Sequence, residues 1–310
     1  FRPCFHPCFE VNVQPQPAMI SRPRRSVLFM PGDNPRAQKK ASGLAADVII
    51  LDLEDAVAPA NKEVARNQVL STLGKSPFGK REVVVRINRL DSPWGVDDLA
   101  VLSQVHPDAI LLPKIESADE LFRAAVTLSA QGIPADIGLW AMVETPRGIQ
   151  SIEDITNASG RLACLVLGTG DLASSMRITG ADQDRFGLVY ALSRCVLAAR
   201  ASGLDVIDGV FFDLADSAGF RVSCKQGRQL GFDGKSLIHP GQIDIANGVF
   251  SPQPDSIDHA RRVIEAWDAA ARHERGVLVV DNRLVEALHV RDAHRLLALR
   301  DAINTLAADP

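Results

Sequence analysis

Residues 137–143 read IGLWAMV, an apolar run interrupted only by Gly138, and Glu144 follows it directly. A nearly continuous apolar run of this length is typical of a strand buried on both faces, as in a parallel sheet. A carboxylate at the end of such a strand has to be paired, hydrated or bound to a ligand. The stretch therefore raises two questions: which sheet holds this strand, and what Glu144 contacts there.

Seven further apolar runs alternate along the chain with longer amphipathic segments, which are typical of helices. Eight β-then-α units in order predict a (β/α)8 TIM barrel, and a doubly wound open sheet is the alternative. The predicted strands are 26–30, 47–53, 82–87, 109–113, 137–143, 162–168, 206–212 and 236–238. The predicted helices between them include 34–45, 60–73, 117–130 and 188–202.

The chain is predicted to have three parts. Residues 1–18 are rich in proline and lack a signal-peptide pattern, so we expect a disordered extension, or sequence that precedes a start at Met19. Residues 19–250 form the predicted barrel domain. Residues 251–310 are too long to be only the eighth barrel helix, and we expect a helical lid, arm or oligomer contact. This last part has predicted helices at 240–248, 257–274 and 290–307 and an apolar run at 276–280.

Composition narrows the class of protein. The 310 residues carry a formal net charge of −4, so no basic surface argues for nucleic acid. Hydrophobic residues make up 46 % and charged residues 23 %, as in a globular protein with a large core, and no apolar run approaches the roughly 20 residues of a membrane span. Cys164, Cys195 and Cys224 lie in apolar or helical contexts, which predicts reduced core thiols and a cytoplasmic location.

Polar residues collect where the predicted strands end. The carboxyl ends of parallel barrel strands carry the active site, whereas the opposite face is mostly structural. Taken singly, each residue has an ordinary interpretation: an N-cap for Asp171, a salt bridge for Glu144, and pairing with the second-strand carboxylates for Arg86 and Lys114. His239 likewise predicts a structural role beside Pro240. The polar residues at these exits are Asp52, Glu54, Asp55, Arg86, Asn88, Lys114, Glu144, Asp171, Asp213, Asp216 and His239.

The single-residue interpretations do not explain why so many charged side chains would meet at one end of the barrel. Several carboxylates close together repel each other, and a divalent cation would relieve that repulsion. Hard oxygen ligands with no cysteine and few histidines suit Mg²⁺ or Mn²⁺ rather than Zn²⁺. Because Mg²⁺ takes one or two protein carboxylates and keeps positions for water and substrate, Glu144 and Asp171 suffice as ligands.

Seven motifs run in order from about residue 24 to residue 250: RSVLFMPGDNPR, DVIILDLEDAVAPANKEVAR, VVVRINRLDSPWGVDDL, ILLPKIES, LWAMVETPRGI, LVLGTGDLA and LGFDGKSLIHPGQI. The sequence resembles the citrate lyase β-subunit family of the HpcH/HpaI aldolase superfamily, which includes malyl-CoA, citramalyl-CoA and citryl lyases. FSPQPDSIDHARRVIEAW extends the likeness into the C-terminal part.

The resemblance implies a role for each matching residue. Glu144, in the E-T-x-x-G motif, and Asp171, in the G-x-x-D-L motif, are the implied metal ligands, and Glu144 also contacts substrate. Arg86, in V-R-x-N, is the implied binder of the substrate carboxylate or thioester oxygen. The D-x-E-D motif places Asp52, Glu54 and Asp55 near the metal and its waters, and we predict catalytic roles for Glu54 and Asp55.

One position departs from the family pattern. Related lyases have a C-terminal lid motif M-V-D-x-P, whose aspartate completes a neighbouring active site as an acid or base. The corresponding stretch here is LVEAL (284–288), in which Glu286 replaces the aspartate and the proline is absent. Glu286 is the predicted replacement, and Asp281 is a rival five residues earlier. The resemblance also implies a homo-oligomer, a trimer or hexamer, in which this segment covers a neighbour's site.

The function implied is a Mg²⁺-dependent carbon–carbon lyase. It would cleave a 3-hydroxyacyl-CoA thioester, such as malyl-CoA or citramalyl-CoA, into a 2-oxo acid and a short acyl-CoA, or form it by Claisen-type condensation. Two alternatives stay open: an aldolase on free 2-oxo acids, and a citryl-type β subunit that acts on an acyl-carrier-protein thioester within a complex. No nucleic-acid or membrane partner is expected.

Overall fold

The computed structural model describes residues 22–179, 184–271 and 277–308. Eight parallel strands form a closed barrel in chain order, and β1 pairs with β8 through Ser26 and Lys235. This closure confirms the predicted TIM barrel and excludes the open sheet. The strands are β1 (Ser26–Pro31), β2 (Val48–Asp52), β3 (Glu82–Arg86), β4 (Ala109–Leu112), β5 (Gly138–Val143), β6 (Leu162–Leu167), β7 (Asp205–Asp208) and β8 (Gly234–Leu237).

Helices connect the strands around the outside of the barrel. The predicted helices 34–45, 60–73, 117–130, 188–202 and 240–248 agree with the observed ones to within about four residues at each end. The observed helices are α1 (Pro35–Ala41), α2 (Lys62–Leu73), α3 (Gly95–Leu102), α4 (Ala118–Ala130), α5 (Pro146–Gln150), α6 (Ile152–Thr156), α7 (Thr169–Ser175), α8 (Val189–Ala201), α9 (Ser217–Leu230) and α10 (Ile243–Phe250).

The predicted strand 206–212 ends early, at Asp208. Gly209 leaves the sheet there, where its backbone passes so close to α7 that a Cβ would lie 2.1 Å from Thr169 Oγ1. The strand predicted at 236–238 begins two residues earlier, at Gly234. The prediction left out Lys235 because a charged residue is not typical of a buried strand. Lys235 Nζ donates to Asp208 Oδ2 at 2.8 Å, so the ion pair permits complete burial.

The amino ends of the strands are closed by ion pairs. Arg24 donates to Glu82 through Nε and Nη2, each at 2.7 Å, and its guanidinium stacks 4.9 Å from the ring centroid of Trp140. Trp140 is fully buried in the barrel interior, where it fills the layer above Arg24. Arg24 also pairs with Asp205 on β7. The amino end of the barrel therefore contributes stability, and the active site is expected at the carboxyl end.

The C-terminal part forms a module of two helices and a hairpin. Helix α11 (Pro254–Ala271) packs against α12 (Ala287–Ala307), and the antiparallel strands β9 (Leu278–Val280) and β10 (Arg283–Val285) lie between them in sequence. Asp281 and Asn282 have φ of 50° and 59°, as the two central residues of a type I′ hairpin turn require. The apolar run at 276–280 contains strand β9 from Leu278 onward, and neither hairpin strand was predicted as a strand.

The module has a hydrophobic core of its own, separate from that of the barrel, built from Ala260, Val263, Val280, Val285, Val290 and Ala293. The predicted extension 1–18 lies outside the described residues. Within the described ranges, no helix is long and apolar enough to cross a membrane.

Candidate active site at the carboxyl end of the barrel

A cavity of about 390 Å³ opens at the carboxyl ends of the barrel strands. It has an apolar wall, which includes Phe29, Met142 and Phe212, and a charged wall. The charged wall brings together residues from strands that are far apart in sequence: Asp52, Asp55, Arg86, Glu144 and Asp171. Five of the predicted site residues, Arg86, Glu54, Asp55, Glu144 and Asp171, therefore lie at this cavity or beside it.

Arg86 is the last residue of β3 and pairs in register with Asp52 at the end of β2. Its Nε donates to Asp52 Oδ1 at 2.7 Å and its Nη2 to Asp52 Oδ2 at 2.5 Å. The Phe29 ring lies 5.1 Å from the guanidinium carbon. Burial disfavours the charge, but the Asp52 carboxylate outweighs it and raises the Arg86 pKa. Pairing with the second-strand carboxylates is confirmed, and it fixes a permanent cation at the cavity wall.

The third nitrogen of the guanidinium group, Nη1, has weaker partners than Nε and Nη2. Arg86 Nη1 donates to the thioether sulfur of Met142 at 3.5 Å, which is a weak acceptor. Nη1 also lies 3.0 Å from Glu54 Oε2, yet that buried oxygen has no hydrogen-bond donor. An oxyanion that entered the cavity would be a stronger acceptor for Nη1 than the sulfur is.

Glu144 follows β5 and is 2 % exposed. Its Oε1 accepts a hydrogen bond from the backbone N–H of Lys114 at 2.9 Å. The other oxygen lies against Gly168, where a Cβ would be 2.4 Å from Oε2, so only glycine leaves room for this carboxylate. Burial raises the pKa of Glu144 to about 7, and the charges of Glu54 and Asp171 add to that effect. Lys114 and Arg86 oppose the rise but do not cancel the effect of burial.

Glu54 and Asp55 follow β2 and differ in environment. Burial raises the pKa of Glu54 above its usual range, although Arg86 and Lys114 oppose the rise. Burial would also raise the pKa of Asp55, but the Lys114 ammonium outweighs it and the pKa lies below the usual range. Lys114 Nζ is 2.6 Å from Glu54 Oε1 and 3.2 Å from Asp55 Oδ2. The predicted packing of Lys114 against these carboxylates is confirmed.

Asp171 lies in the first turn of α7, whose N-cap is Gly168. The expectation that Asp171 caps this helix is therefore wrong. Its side chain is 51 % exposed and its Oδ2 lies 3.7 Å from Lys114 Nζ. Because Gly168 takes the cap position, the Asp171 carboxylate remains directed to the cavity that it lines.

The donor set fits a hard divalent cation. Among residues 22–179, 184–271 and 277–308, no group of three or more His, Cys, Asp and Glu side chains is arranged as a metal site. Mg²⁺ needs only one or two protein carboxylates, because water and substrate complete its octahedron. Glu144 and Asp171 are oxygen donors at one cavity, and the buried Glu144 carboxylate is a charge that a bound cation would stabilise.

Glu286 lies elsewhere in this chain. It is the N-cap of α12, and its backbone N–H donates to His289 Nδ1 at 3.0 Å. It does not line the barrel cavity. Its rival Asp281 accepts hydrogen bonds from Arg262 Nη2 at 2.8 Å and pairs with His259 Nδ1 at 2.7 Å. Asp281 is thus paired with side chains of α11, and a single chain brings neither acid to the cavity.

His239 has the structural role that its position predicts. Its Nδ1 accepts a hydrogen bond from the backbone N–H of Gly241 at 3.1 Å, at the start of the short turn Pro240–Gln242. Sequence reasoning overlooked Lys62, whose Nζ donates to the carbonyls of Leu53 and Glu54, each at 2.8 Å. A lysine ten residues after the D-x-E-D start is a weak signal, because exposed helix positions commonly carry lysine.

Residues 25–240 match the family model described as HpcH/HpaI aldolase/citrate lyase. The chain belongs to this family. A (3S)-malyl-CoA thioesterase of Cereibacter sphaeroides is 45 % identical and aligns with 93 % of this chain and 98 % of its own. An L-malyl-CoA/beta-methylmalyl-CoA lyase of the same species is 33 % identical over 93 % of this chain and 98 % of its own.

A solved structure resembles most of the chain. The crystal structure of CitE from Mycobacterium tuberculosis, in complex with magnesium, acetoacetate and coenzyme A, is 31 % identical to this chain. It covers 89 % of this chain and 97 % of its own, with a TM-score of 0.71. Membership places the chain in a family of enzymes that includes lyases, as the sequence motifs indicated.

Proposed function

We propose that this protein is a Mg²⁺-dependent carbon–carbon lyase that acts on a 3-hydroxyacyl-CoA thioester of the malyl-CoA class. The observation that carries the proposal is the buried Glu144 carboxylate, held beside Asp171 and Arg86 at the mouth of a barrel of this family. Such a substrate would be cleaved between C2 and C3 of the acyl chain. The products would be a 2-oxo acid and a short acyl-CoA, and the reverse reaction would be a Claisen-type condensation.

The metal, held by Glu144 and Asp171, would act as a Lewis acid on the substrate's carboxylate and hydroxyl oxygens. Side chains of the protein stabilise the developing charge and move the proton. Arg86 Nη1 exchanges the Met142 sulfur for the thioester oxygen and stabilises the negative charge that develops there when the bond breaks. Glu54 accepts the hydroxyl proton, since burial has raised its pKa toward that of a useful base, and Asp55 stays ionised and holds the Lys114 ammonium beside it. Phe29 and Phe212 exclude water from one side.

The enolate carbon of the short acyl-CoA then needs a proton, and the described barrel residues offer no acid committed to it. We propose that Glu286 of a second copy supplies it in a homo-oligomer, a trimer or hexamer, with residues 251–310 acting as the lid. The hairpin that precedes Glu286 supports this role, because Val279 and Leu284 are 67 % and 57 % exposed in the single chain. Mixing Glu144→Gln with Glu286→Gln subunits should restore activity that neither has alone.

Product analysis tests the reaction. With malyl-CoA, a lyase releases glyoxylate and acetyl-CoA, and no free thiol forms. Glyoxylate is measured as its phenylhydrazone, and free CoA by reaction with a disulfide dye. We expect glyoxylate in equal amount to the malyl-CoA consumed, with activity lost in EDTA, in Glu144→Gln and in Asp171→Asn. Turnover that persists in EDTA or in Glu144→Gln would contradict the proposed metal site.

Hydrolysis of the thioester is a second candidate, which the 45 % identity to a (3S)-malyl-CoA thioesterase favours. The same assay separates the two, because hydrolysis releases free CoA and malate without glyoxylate. An aldolase on free 2-oxo acids would be stabilised by pyruvate but not by CoA or acetyl-CoA in a thermal shift assay. A citryl-type subunit would need a carrier-protein thioester and would not turn over soluble CoA thioesters.

A cytoplasmic location is also proposed. Cys164, Cys195 and Cys224 are buried as free thiols. Such cysteines suit a reducing compartment, in which CoA thioesters also occur.

A further inference from the structure

Lys114 contacts four of the carboxylates at the carboxyl end of the barrel, which we call the acidic mouth: Glu54, Asp55, Glu144 and Asp171. Its Nζ reaches Glu54 Oε1 at 2.6 Å, Asp55 Oδ2 at 3.2 Å and Asp171 Oδ2 at 3.7 Å. Its backbone N–H donates to Glu144 Oε1 at 2.9 Å. Lys114, two residues after β4 ends, thus contacts carboxylates that follow β2, β5 and β6, and both proposed metal ligands are among them.

The backbone of Lys114 is strained. Its φ is 52°, in the left-handed region that residues other than glycine and asparagine seldom adopt. Such a conformation persists only where its surroundings hold it. Here the next residue, Ile115, donates its backbone N–H to Met142 O at 3.0 Å on β5. The strained turn points the Lys114 N–H at Glu144 and at the same time sends the side chain over the mouth.

The position of the ammonium group matters for a metal. Like charges at one site repel, so Glu54, Asp55, Glu144 and Asp171 would separate or take up protons if Arg86, which lies 3.0 Å from Glu54, were the only nearby cation. The ammonium provides one positive charge within hydrogen-bond or ion-pair distance of three of them. A divalent cation on Glu144 and Asp171 would lie close to this ammonium, and the two positive charges would repel each other.

We propose that Lys114 is a positioning residue that acts as the built-in counter-ion of the metal site. It holds Glu144 and Asp171 in place while no metal is bound, and its charge weakens the binding of the metal. Of the three carboxylates near Lys114 Nζ, Asp171 is the most distant, at 3.7 Å. When a metal binds to Asp171, it replaces this weak contact. Lys114 then remains paired with Glu54 and Asp55. This inference rests on the proposed function only for the identity of the two metal ligands.

The test uses the full chain with Lys114→Met, which keeps the backbone N–H and the length of the side chain but removes the charge. Lys114→Arg restores the charge. Arg123→Met is the matched control, since it removes one positive charge from the helix that follows Lys114, where Arg123 pairs with the exposed Asp119. Two quantities are measured: the dissociation constant of Mn²⁺ by electron paramagnetic resonance, and the melting temperature in EDTA and in saturating Mg²⁺.

We expect Lys114→Met to bind Mn²⁺ at least about threefold more tightly than wild type, because one repulsive charge has gone. Damage to a structural residue would weaken metal binding, so tighter binding separates the two roles. In EDTA the variant should melt lower than wild type, and saturating Mg²⁺ should close that gap. Lys114→Arg should return both values toward wild type, and Arg123→Met should change neither.

The outcomes distinguish this inference from the proposed function. If wild type binds Mn²⁺ and Lys114→Met binds it equally or more weakly, the counter-ion role is wrong and the lyase proposal stands. If wild type binds no Mn²⁺, the proposed metal function is wrong. In that case the melting temperature in EDTA decides: no loss in Lys114→Met relative to Arg123→Met overturns the counter-ion role as well.

Discussion

Replacing Glu144 by glutamine should stabilise the metal-free protein at alkaline pH although it abolishes activity. The carboxyl group is 2 % exposed, and burial together with Glu54 and Asp171 raises its pKa from 4.5 to about 7. Each pH unit corresponds to about 1.4 kcal/mol, so holding this group charged costs the folded chain roughly 3 kcal/mol. Glutamine has the same shape and can still accept the Lys114 N–H, but it carries no charge.

The sign follows from the direction of the pKa change. The folded chain binds the Glu144 proton more tightly than the unfolded chain does. The stability linked to that proton is complete below pH 4.5 and is lost as the pH rises through about 7. Wild type and Glu144→Gln should therefore be equally stable near pH 4.5. At pH 8 the variant should be more stable by roughly 3 kcal/mol, or a melting temperature about 6 °C higher.

Differential scanning fluorimetry in EDTA at pH 4.5, 6 and 8 measures this difference. Adding Mg²⁺ supplies the second half of the experiment. Mg²⁺ at about 100 times its dissociation constant should stabilise wild type by roughly 2.7 kcal/mol, and the variant should not respond. A Glu144→Gln protein that melts at or below the wild-type temperature at pH 8 in EDTA would refute the reasoning, since the buried charge would then have cost nothing.

Three further substitutions test other parts of the structure. Arg86→Lys removes the two-point contact with Asp52 and should lower kcat/KM about 100-fold, measured with malyl-CoA, with little change in melting temperature. Gly168→Ala puts a Cβ 2.4 Å from Glu144 Oε2 and should weaken Mn²⁺ binding at least about tenfold, whereas Gly160→Ala, where a Cβ meets open space, should not; equal affinities would contradict the packing. Arg24→Met removes the two short contacts to the buried Glu82, which then keeps a contact to Arg22 at 3.9 Å. The change should cost about 3 kcal/mol in urea unfolding while kcat at 20 °C stays at the wild-type value, and a lost kcat would mean that the amino end is not purely structural.

The barrel could be predicted because each of its strands carries its own signal. A run such as IGLWAMV is apolar along its whole length, since both faces of a barrel strand are buried. The signal fails where burial depends on a distant partner. Lys235 lies within β8 only because Asp208 on β7 accepts from its Nζ, and that pairing is 27 residues away in sequence.

The C-terminal module also has elements that the sequence predicts and elements that it does not. Its helices have enough periodicity for their starts to be predicted to within three residues and the end of α12 correctly, whereas residues 272–274 of the first predicted helix lie outside the described residues. The hairpin strands have only three residues each, too few for a pattern, and their turn uses Asp281 and Asn282 in left-handed conformations. The sequence places Glu286 near the family's lid acid, but no pattern within one chain states which active site that acid would reach.

By itself the sequence determined which residue types stand at the strand exits, because strand burial and the polar residue that follows it are adjacent in the chain. Glu144, Asp171 and Arg86 could thus be selected from it. The tertiary structure alone decided how these groups act on one another. The register of β2, β4, β5 and β6 brings Glu54, Lys114, Glu144 and Asp171 to one mouth. Distances of a few ångströms across that mouth set the charge balance, and sequence separation carries no information about them.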